Sequence, residues 1–162
     1  RDQAMIMFLA TTGLRFNEMI NITLHQFSNM TGESGREIEI VGKGNKRRTI
    51  YINDDTKDLV DKYLLIRGEQ EGPLFITNRN DKVKNNNFNL MLKQVAKKAG
   101  IPFWQDISAH WLRVAFATTK ANNGIPLHII QYSLGHSNIK TTMSYIKNDQ
   151  EAINKAMMTM AF

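Results

Sequence analysis

Apolar residues recur at helical spacing along most of this chain. Near its start, Ala4, Met5, Phe8 and Leu9 fall on one face of a predicted helix, and Gly13 is placed to end it. Further helices are predicted over residues 16–23, 54–66, 88–99, 108–122, 126–134 and 139–146, and from residue 149 onward. The pattern predicts a domain that is mostly helical.

Two short stretches alternate polar and apolar residues instead, and they predict a β-hairpin. They are residues 37–42 and 49–52, and the segment between them is rich in glycine and asparagine, which tolerate positive φ. A third strand is expected either just before residue 37 or at residues 73–76. We therefore expect an α+β fold, mostly helical, with a small antiparallel three-stranded sheet at one edge.

The charge of the chain points to a polyanionic partner. Its 162 residues include 21 Lys and Arg against 15 Asp and Glu, a net charge of +6, and 42% are hydrophobic, as in one globular domain. The basic residues cluster at the hairpin tip and over residues 79–98, and such a cluster can release counterions from DNA. A solvated basic face is the alternative that charge alone leaves open.

Composition also excludes several classes of protein. The chain has no cysteine, which excludes a disulfide scaffold and cysteine-based zinc, iron–sulfur or thiol chemistry. The longest nearly apolar stretch, residues 4–10, is too short to span a bilayer, and the first residues carry no secretion signal. We expect a cytoplasmic protein with no membrane partner. Because the chain starts inside a helical pattern and without methionine, we also expect a preceding N-terminal arm domain to be absent from it.

Six side chains near predicted element ends carry groups that can act on a phosphodiester. They are Arg15, Lys43, His110, Arg113, His136 and Tyr145. Two guanidiniums can clamp the phosphate oxygens and stabilise the charge of a pentavalent phosphorus. The tyrosine hydroxyl can attack phosphorus, the lysine can protonate the leaving oxygen, and the histidines can move a proton near neutral pH. No carboxylate cluster with metal-ligand spacing accompanies them, so cations would replace a metal ion.

Together these residues resemble the catalytic domain of tyrosine recombinases, the family of phage and transposon integrases and of Xer-type resolvases. The family pattern is an Arg after a Thr-Gly-Leu turn, a Lys in a β-hairpin, His-x-x-Arg, Gly-His, and a Tyr nine residues further on. All six places are filled in that order, over almost the whole chain. The visible departure is Val114, where the family usually has a second histidine; we interpret it as a packing residue.

The resemblance implies that residues 1–162 form a catalytic domain acting on double-stranded DNA without a cofactor. Tyr145 would form a 3′-phosphotyrosine link while the two motif arginines hold the phosphate. Lys43 would protonate the leaving 5′-oxygen, His110 would assist proton transfer at Tyr145, and His136 would hydrogen-bond the phosphate. In the family four protomers exchange strands through a Holliday junction. A homotetramer on DNA is therefore expected, joined through the C-terminal helix, in a bacterium, phage or mobile element.

Several assignments have alternatives. Lys46 competes with Lys43 as the hairpin acid, and Arg15 could form a surface ion pair with Glu18, which we expect to be a buried partner of the basic groups. The predicted contacts to the DNA backbone are Lys46, Arg47, Arg48, Lys82 and Lys84. The apolar residues of the last helix could pack on a neighbouring protomer or on their own core; they are Met157, Met158, Met160 and Phe162.

The function that we expect first is integration or excision of a mobile element. The alternatives are Xer-type dimer resolution, nicking and resealing like a type IB topoisomerase, and DNA binding without catalysis. The presence of the tyrosine argues against the last of these.

Overall fold

The computed structural model describes residues 1–42 and 44–146. The helices are α1 (Asp2–Thr12), α2 (Phe16–Met19), α3 (Leu24–Ser28), α4 (Asp54–Arg67), α5 (Asn85–Lys98), α6 (Ala109–Asn122), α7 (Leu127–Leu134) and α8 (residues 139–146). The strands are β1 (Glu37–Val41) and β2 (Arg47–Tyr51). These ranges confirm the mostly helical α+β fold. Lys43 and the predicted helix from residue 149 lie outside the described residues.

Helix α1 lies at the centre of the core and packs against α4 and α6. Phe8 on α1 is completely buried and meets the ring of Phe75 edge-on, with centroids 5.7 Å apart. Phe75 also stacks on Tyr63 of α4, whose hydroxyl accepts a hydrogen bond from the amide of Ile76 at 3.1 Å. The aromatic cluster therefore buries a large apolar area, and the hydroxyl of Tyr63 within it still has a hydrogen-bond partner.

The end of α1 is held against α6 at a position that only glycine fits. Gly13 has φ 64°, the left-handed conformation that commonly ends a helix, and its amide donates to the carbonyl of Leu9. A Cβ at this position would lie 2.4 Å from the ring of Phe116 on α6. This close approach brings the turn before Arg15 next to the helix that carries the His-x-x-Arg motif.

Strands β1 and β2 pair antiparallel, with Ile38 opposite Ile50 and Ile40 opposite Arg48. The buried positions alternate along both strands, so one face of the hairpin packs on the core. Among the described residues the sheet has two strands, which corrects the expected three. The run before residue 37 contributes only a single bridge, from Thr31 to Glu37.

The other candidate for the third strand, residues 73–76, is used elsewhere. Pro73 bridges Thr23, and Leu74 and Phe75 are completely buried. Because Phe75 packs in the aromatic cluster between α1 and α4, this segment is placed away from the hairpin.

Most predicted helices are confirmed, and the differences lie at their ends. Helix α2 is shorter than expected, and α3 was not predicted. Thr23 does not extend α2 but caps α3, because its hydroxyl accepts a hydrogen bond from the amide of Gln26 at 3.1 Å. Helix α4 is capped in the same way by Asn53, whose side-chain oxygen accepts a hydrogen bond from the amide of Thr56. In the part of the chain that the structure describes, no helix is long and apolar enough to cross a membrane.

Candidate active site

A cleft of about 550 Å³ lies where α2, the hairpin and the starts of α5 and α6 meet. Its lining includes Arg15, which directly precedes α2, Glu18 of α2, Gly42 at the base of the hairpin tip, and His110 and Arg113 of α6. Elements that are distant in sequence therefore place several of the predicted catalytic side chains around one space.

Arg113 is buried beneath this cleft and connects three helices. Its side chain is 2% exposed. Nη1 donates to the carbonyl of Gly13 and Nη2 to the carbonyl of Leu134, both at 2.6 Å. These carbonyls lie at the ends of α1 and α7, where a helix leaves backbone acceptors unpaired. The guanidinium satisfies both acceptors and so fixes α6 against both helix ends.

Arg113 remains charged although it is buried. Burial and, to a lesser extent, the nearby charge of Arg15 lower the pKa of Arg113 to about 10, while Glu18 and Tyr145 act in the opposite direction. A guanidinium with this pKa is cationic at neutral pH. Arg113 therefore brings a positive charge to the wall of the cleft.

The carboxylate of Glu18 lies among three guanidinium groups. Oε1 accepts from Nη1 of Arg15 at 3.1 Å, and Oε2 accepts from the backbone amide of the same residue at 2.8 Å. Arg48 binds both oxygens, at 3.2 and 2.8 Å, and Nη1 of Arg113 lies 4.0 Å from Oε2. The expected role of Glu18 as a buried partner of basic groups is therefore confirmed by these contacts.

The ionisation of Glu18 follows from these contacts. Burial raises the pKa of Glu18, but hydrogen bonds and charge from Arg48 and Arg15 outweigh it and bring that pKa below its usual value. The ion pair between Arg15 and Glu18, which was the alternative to a role of Arg15 in the site, does form. However, the side chain of Arg15 is still 42% exposed and lines the cleft, so its guanidinium is accessible there.

The ring of Tyr145 lies between two histidines. The centroid distance is 5.3 Å to His110 and 5.4 Å to His136, and both contacts are edge-to-face. Tyr145 is also close enough to Arg113 to raise the pKa of that guanidinium. Thr118 of α6 donates to the backbone carbonyl of Tyr145 at 3.4 Å, which holds α8 near the site. The structure therefore brings the tyrosine ring against both motif histidines, one of which binds Arg113, within one molecule.

His136 is buried and uses both of its ring nitrogens within the protein. Nε2 lies 2.9 Å from Nη2 of Arg113, and Nδ1 lies 2.9 Å from the hydroxyl of Thr142. Because an arginine can only donate, Nε2 is the acceptor and Nδ1 carries the proton. In this arrangement His136 orients Arg113. Its hydrogen bond to a phosphate stays a prediction, which requires Nε2 to exchange partners.

Burial, together with the positive surroundings, favours the neutral form of both histidines. Burial, followed by the charges of Arg113, Arg15 and Arg48, lowers the pKa of His136 to about 4. Partial burial and the charges of Arg113 and Arg15 also lower the pKa of His110. His110 is still accessible from the cleft, where it belongs to the exposed residues. A neutral imidazole beside the tyrosine is the form that can accept a proton.

Four of the predicted DNA-backbone contacts are exposed. Lys46 and Arg47 lie beside the hairpin tip, where Nζ of Lys46 is 3.5 Å from Oγ of Ser137. Lys82 hydrogen-bonds Asn21 at the cleft edge at 2.8 Å, and Lys84 directly precedes α5. Lys82 and Lys84 therefore lie next to residues that line the cleft, and the contact of all four with DNA stays a prediction.

The fifth predicted contact, Arg48, is corrected by the structure, because this residue is buried. Its side chain is 5% exposed, and its guanidinium is taken up by Glu18 and by the backbone carbonyl of Ser133. The position lies on the inward face of β2, in register with Ile40, so the side chain points to the core rather than to solvent.

Two features of the site have no signal in the sequence. Thr142 fixes the tautomer of His136, but an isolated threonine on a short helix gives no signal of this role. The carbonyls of Gly13 and Leu134 hold Arg113, and a backbone acceptor has no sequence signature. Lys43 lies outside the described residues. Among those that the structure describes, no group of three or more His, Asp or Glu side chains is placed to hold a metal ion.

We expect the free energy of unfolding to increase from about pH 4 to about pH 6.5, in part because of His136. Between these values His136 is protonated in the unfolded chain but neutral in the folded one. Unfolding therefore takes up a proton, and it becomes less favourable as the pH rises. His136→Asn should flatten this part of the profile, whereas His128→Asn, at an exposed position of α7, should not. Urea unfolding across this pH range measures it, and an unchanged slope in His136→Asn would contradict the assignment.

Comparison with known proteins agrees with this geometry. Residues 1–152 match the phage integrase family. The tyrosine recombinase XerD of Yersinia pestis is 34% identical over 151 residues, which are 90% of this chain and 49% of that protein. The XerD of Shewanella oneidensis is also 34% identical over 151 residues, with 90% and 48% covered. The chain thus spans about half the length of these curated relatives.

Solved structures show the same fold. The XerA recombinase superposes with a TM-score of 0.80 at 25% identity, over 99% of this chain and 57% of that one. The XerH site-specific recombinase, in a post-cleavage complex with palindromic difH substrate, also gives 0.80 at 25% identity, over 97% and 45%. With the family match over most of its length, and with Tyr145 packed against His110 and against the histidine that binds Arg113, this chain belongs to the phage integrase family of tyrosine recombinases.

Proposed function

We propose that this chain is the catalytic part of a site-specific DNA recombinase that cleaves and rejoins strands through a 3′-phosphotyrosine intermediate. The observation that carries the proposal is the position of the Tyr145 ring, 5.3 Å from His110 and 5.4 Å from His136, where His136 binds Arg113 and both His110 and Arg113 line the same cleft as Arg15. The first biological role that we propose is integration or excision of a mobile element. A cytoplasmic location and a preceding arm domain remain part of this proposal.

The chemistry follows from the charges at the cleft. Tyr145 attacks the scissile phosphorus, the bond to the 5′-oxygen breaks, and the phosphate oxygens gain negative charge in between. Arg15 and Arg113 stabilise that charge. His110 is neutral, because burial and the neighbouring guanidiniums lower its pKa, so it can take the phenol proton. The leaving oxygen takes a proton from Lys43, which follows Gly42 of the cleft wall. A 5′-hydroxyl from another strand reverses these steps.

Xer-type dimer resolution is the second candidate. It is favoured by the relatives, since the proteins that match over 90% of this chain are named as XerD recombinases. Both functions use the same cleavage chemistry and differ in the DNA site. Nicking and resealing without strand exchange, and DNA binding without catalysis, are distinguished by the following experiment.

We expect the full-length protein to form a covalent adduct with nicked duplex DNA that has a randomised central site. A nick releases the short strand beyond the cleavage point, so the attached DNA accumulates and its sequence identifies the site. Tyr145→Phe should form no adduct, because it lacks the attacking oxygen. Tyr132→Phe, at an exposed tyrosine on α7, is the matched control and should retain the adduct.

A denaturing gel measures the adduct, and mapping the linked base shows whether it is joined through its 3′-phosphate. An adduct with Tyr145→Phe, or none with the wild type, would contradict the proposal. A supplied 5′-hydroxyl strand that is joined only when two sites are paired indicates recombination. Joining at a single, unpaired site would indicate a topoisomerase-like enzyme instead.

We expect Lys43→Ala to slow cleavage by about 100-fold or more, because the 5′-oxygen then leaves without a proton donor. A 5′-bridging phosphorothiolate substrate should restore the rate, because a thiolate leaves without protonation. Lys46→Ala is the matched variant on the other side of the hairpin tip, and we expect it to weaken DNA binding without this rescue. Rescue of Lys46→Ala and not of Lys43→Ala would exchange the two assignments.

We further propose that active complexes contain four protomers, joined by the C-terminal segment of each chain. Support comes from an apolar groove of about 590 Å³ on the described domain, lined by residues of α1, β2, α6 and α7. Ile125 and Ile129 are 37% and 46% exposed at this groove. The apolar residues after position 150 have the chemistry to fill it in a neighbouring protomer.

Deleting residues 150–162 should leave DNA binding by single protomers intact and abolish the assembly of four. Ile129→Glu, which places a charge in the groove, should have the same effect with the tail present. Light scattering of purified protein–DNA complexes measures the stoichiometry. Complexes of four with either variant would contradict docking between protomers and favour a tail that packs on its own domain.

A further inference from the structure

We infer that Arg48 is a positioning residue of the active site, which holds Glu18, the base of the hairpin tip and the Gly135–His136 turn in one arrangement. The inference rests on the proposed function, because its effect is on the rate of DNA cleavage. It replaces the expected role of Arg48 as a DNA contact with one that follows from its buried surroundings.

The first contact of Arg48 reaches the catalytic arginine through Glu18. Its Nη1 and Nη2 bind the two oxygens of the Glu18 carboxylate, at 3.2 and 2.8 Å, with side chains that are 5% and 8% exposed. The same carboxylate binds the backbone amide and the guanidinium of Arg15. Since a bidentate pair fixes both the distance and the plane of the carboxylate, Arg48 determines where Glu18 holds Arg15.

The second contact reaches His136 through the end of α7. Nε of Arg48 donates to the carbonyl of Ser133 at 3.0 Å, and Arg113 donates to the next carbonyl, that of Leu134. Cations are favoured at the C-terminal end of a helix, where acceptors are unpaired. Two guanidiniums therefore secure the end of α7, directly before the turn that carries His136.

The third contact is steric and involves two glycines. A Cβ on Gly42 would lie 2.8 Å from Nη1 of Arg48, and a Cβ on Gly135 would lie 2.8 Å from the same atom. One glycine directly precedes Lys43 and the other directly precedes His136. The guanidinium thus lies between the two backbone segments that lead to these residues. Each segment can approach it this closely only because glycine has no side chain.

Only arginine has donors for all of these directions. The planar guanidinium offers two parallel N–H groups to the carboxylate and a separate Nε–H to the carbonyl, whereas a lysine ammonium is a single point charge. Lysine at this position keeps the charge but cannot hold Glu18 by both oxygens and Ser133 as well. Arg48→Lys is therefore a conservative variant that separates geometry from charge.

We expect Arg48→Met to reduce the single-turnover rate constant of cleavage at saturating DNA by about 100-fold, as misplacement of catalytic groups does. Arg48→Lys should lie between this variant and the wild type. The dissociation constant for DNA should change by less than about threefold in both, because a buried side chain makes no phosphate contact. Arg36→Lys, in the ion pair with Asp54 outside the site, is the matched control and should keep the wild-type rate.

Gly42→Ala tests the same contact without changing Arg48. Gly42 is not among the residues with positive φ, so alanine fits the backbone, and its Cβ displaces the guanidinium from Glu18. We expect it to slow cleavage as Arg48→Lys does. The double variant Gly42→Ala/Arg48→Met should be no slower than Arg48→Met alone, because both act through one contact. The single variant Gly42→Ala also decides the matter if Arg48→Met does not fold.

A purely structural role would reduce the fraction of active protein, which is the amplitude of the single-turnover reaction, and leave its rate constant unchanged. Wild-type rate constants in folded Arg48→Lys and Gly42→Ala would therefore overturn the inference, as would losses confined to DNA affinity. If the wild-type protein forms no adduct at all, the proposed function fails instead. Wild-type cleavage with unaffected variants refutes only the role of Arg48.

Discussion

The carboxylate of Glu18 lies between the guanidiniums of Arg15, Arg48 and Arg113, and this contact decides how the domain can keep so much positive charge in one place. A buried cation without a partner is strongly unfavourable, and three close cations repel one another. One carboxylate offsets part of this repulsion without neutralising the site. The remaining positive charge faces the cleft through Arg15 and Arg113, and in the proposed function a bound phosphodiester would complete its neutralisation.

The fold places this charge by using the ends of its helices. Arg113 donates to the carbonyl of Gly13 at the end of α1 and to that of Leu134 at the end of α7. Arg48 donates to Ser133, one residue earlier in α7. Each bond satisfies an acceptor that the helix leaves unpaired, so the stability of the helix packing and the orientation of the catalytic groups depend on the same atoms. Substitutions at these arginines therefore affect both properties, and rate constants are needed to separate them.

Much of the site could be predicted from the sequence, because its residues occur in short motifs with fixed spacing. The motifs around Arg15 and Arg113 do meet at one cleft, and His136 lies behind it, in contact with Arg113. The error at Arg48 arose from reading a basic run as a surface, although the alternation at residues 49–52 extends back to it. In β2, Ile50 faces the core, so the residue two positions earlier faces it too. A buried arginine was unexpected because its partner, Glu18, is distant in sequence.

Other features could not be predicted from local patterns. The role of Thr142 depends on how α8 folds back over His136. Residues 73–76 have the composition of a strand, but the aromatic cluster around Phe75 uses them in the core. In each case a tertiary contact overrides a weak local preference. Val114, which replaces the usual histidine, is half-buried on α6, a setting that suits a packing residue.

The positive field also links DNA binding to proton transfer. The guanidiniums that would hold the phosphate are the ones that, after burial, lower the pKa of His110 and His136. A bound phosphodiester carries negative charge into this field and reduces the repulsion that keeps protons off both rings. In the proposed mechanism, the proton affinity of His110 therefore rises when DNA is bound, at the step in which Tyr145 loses its proton.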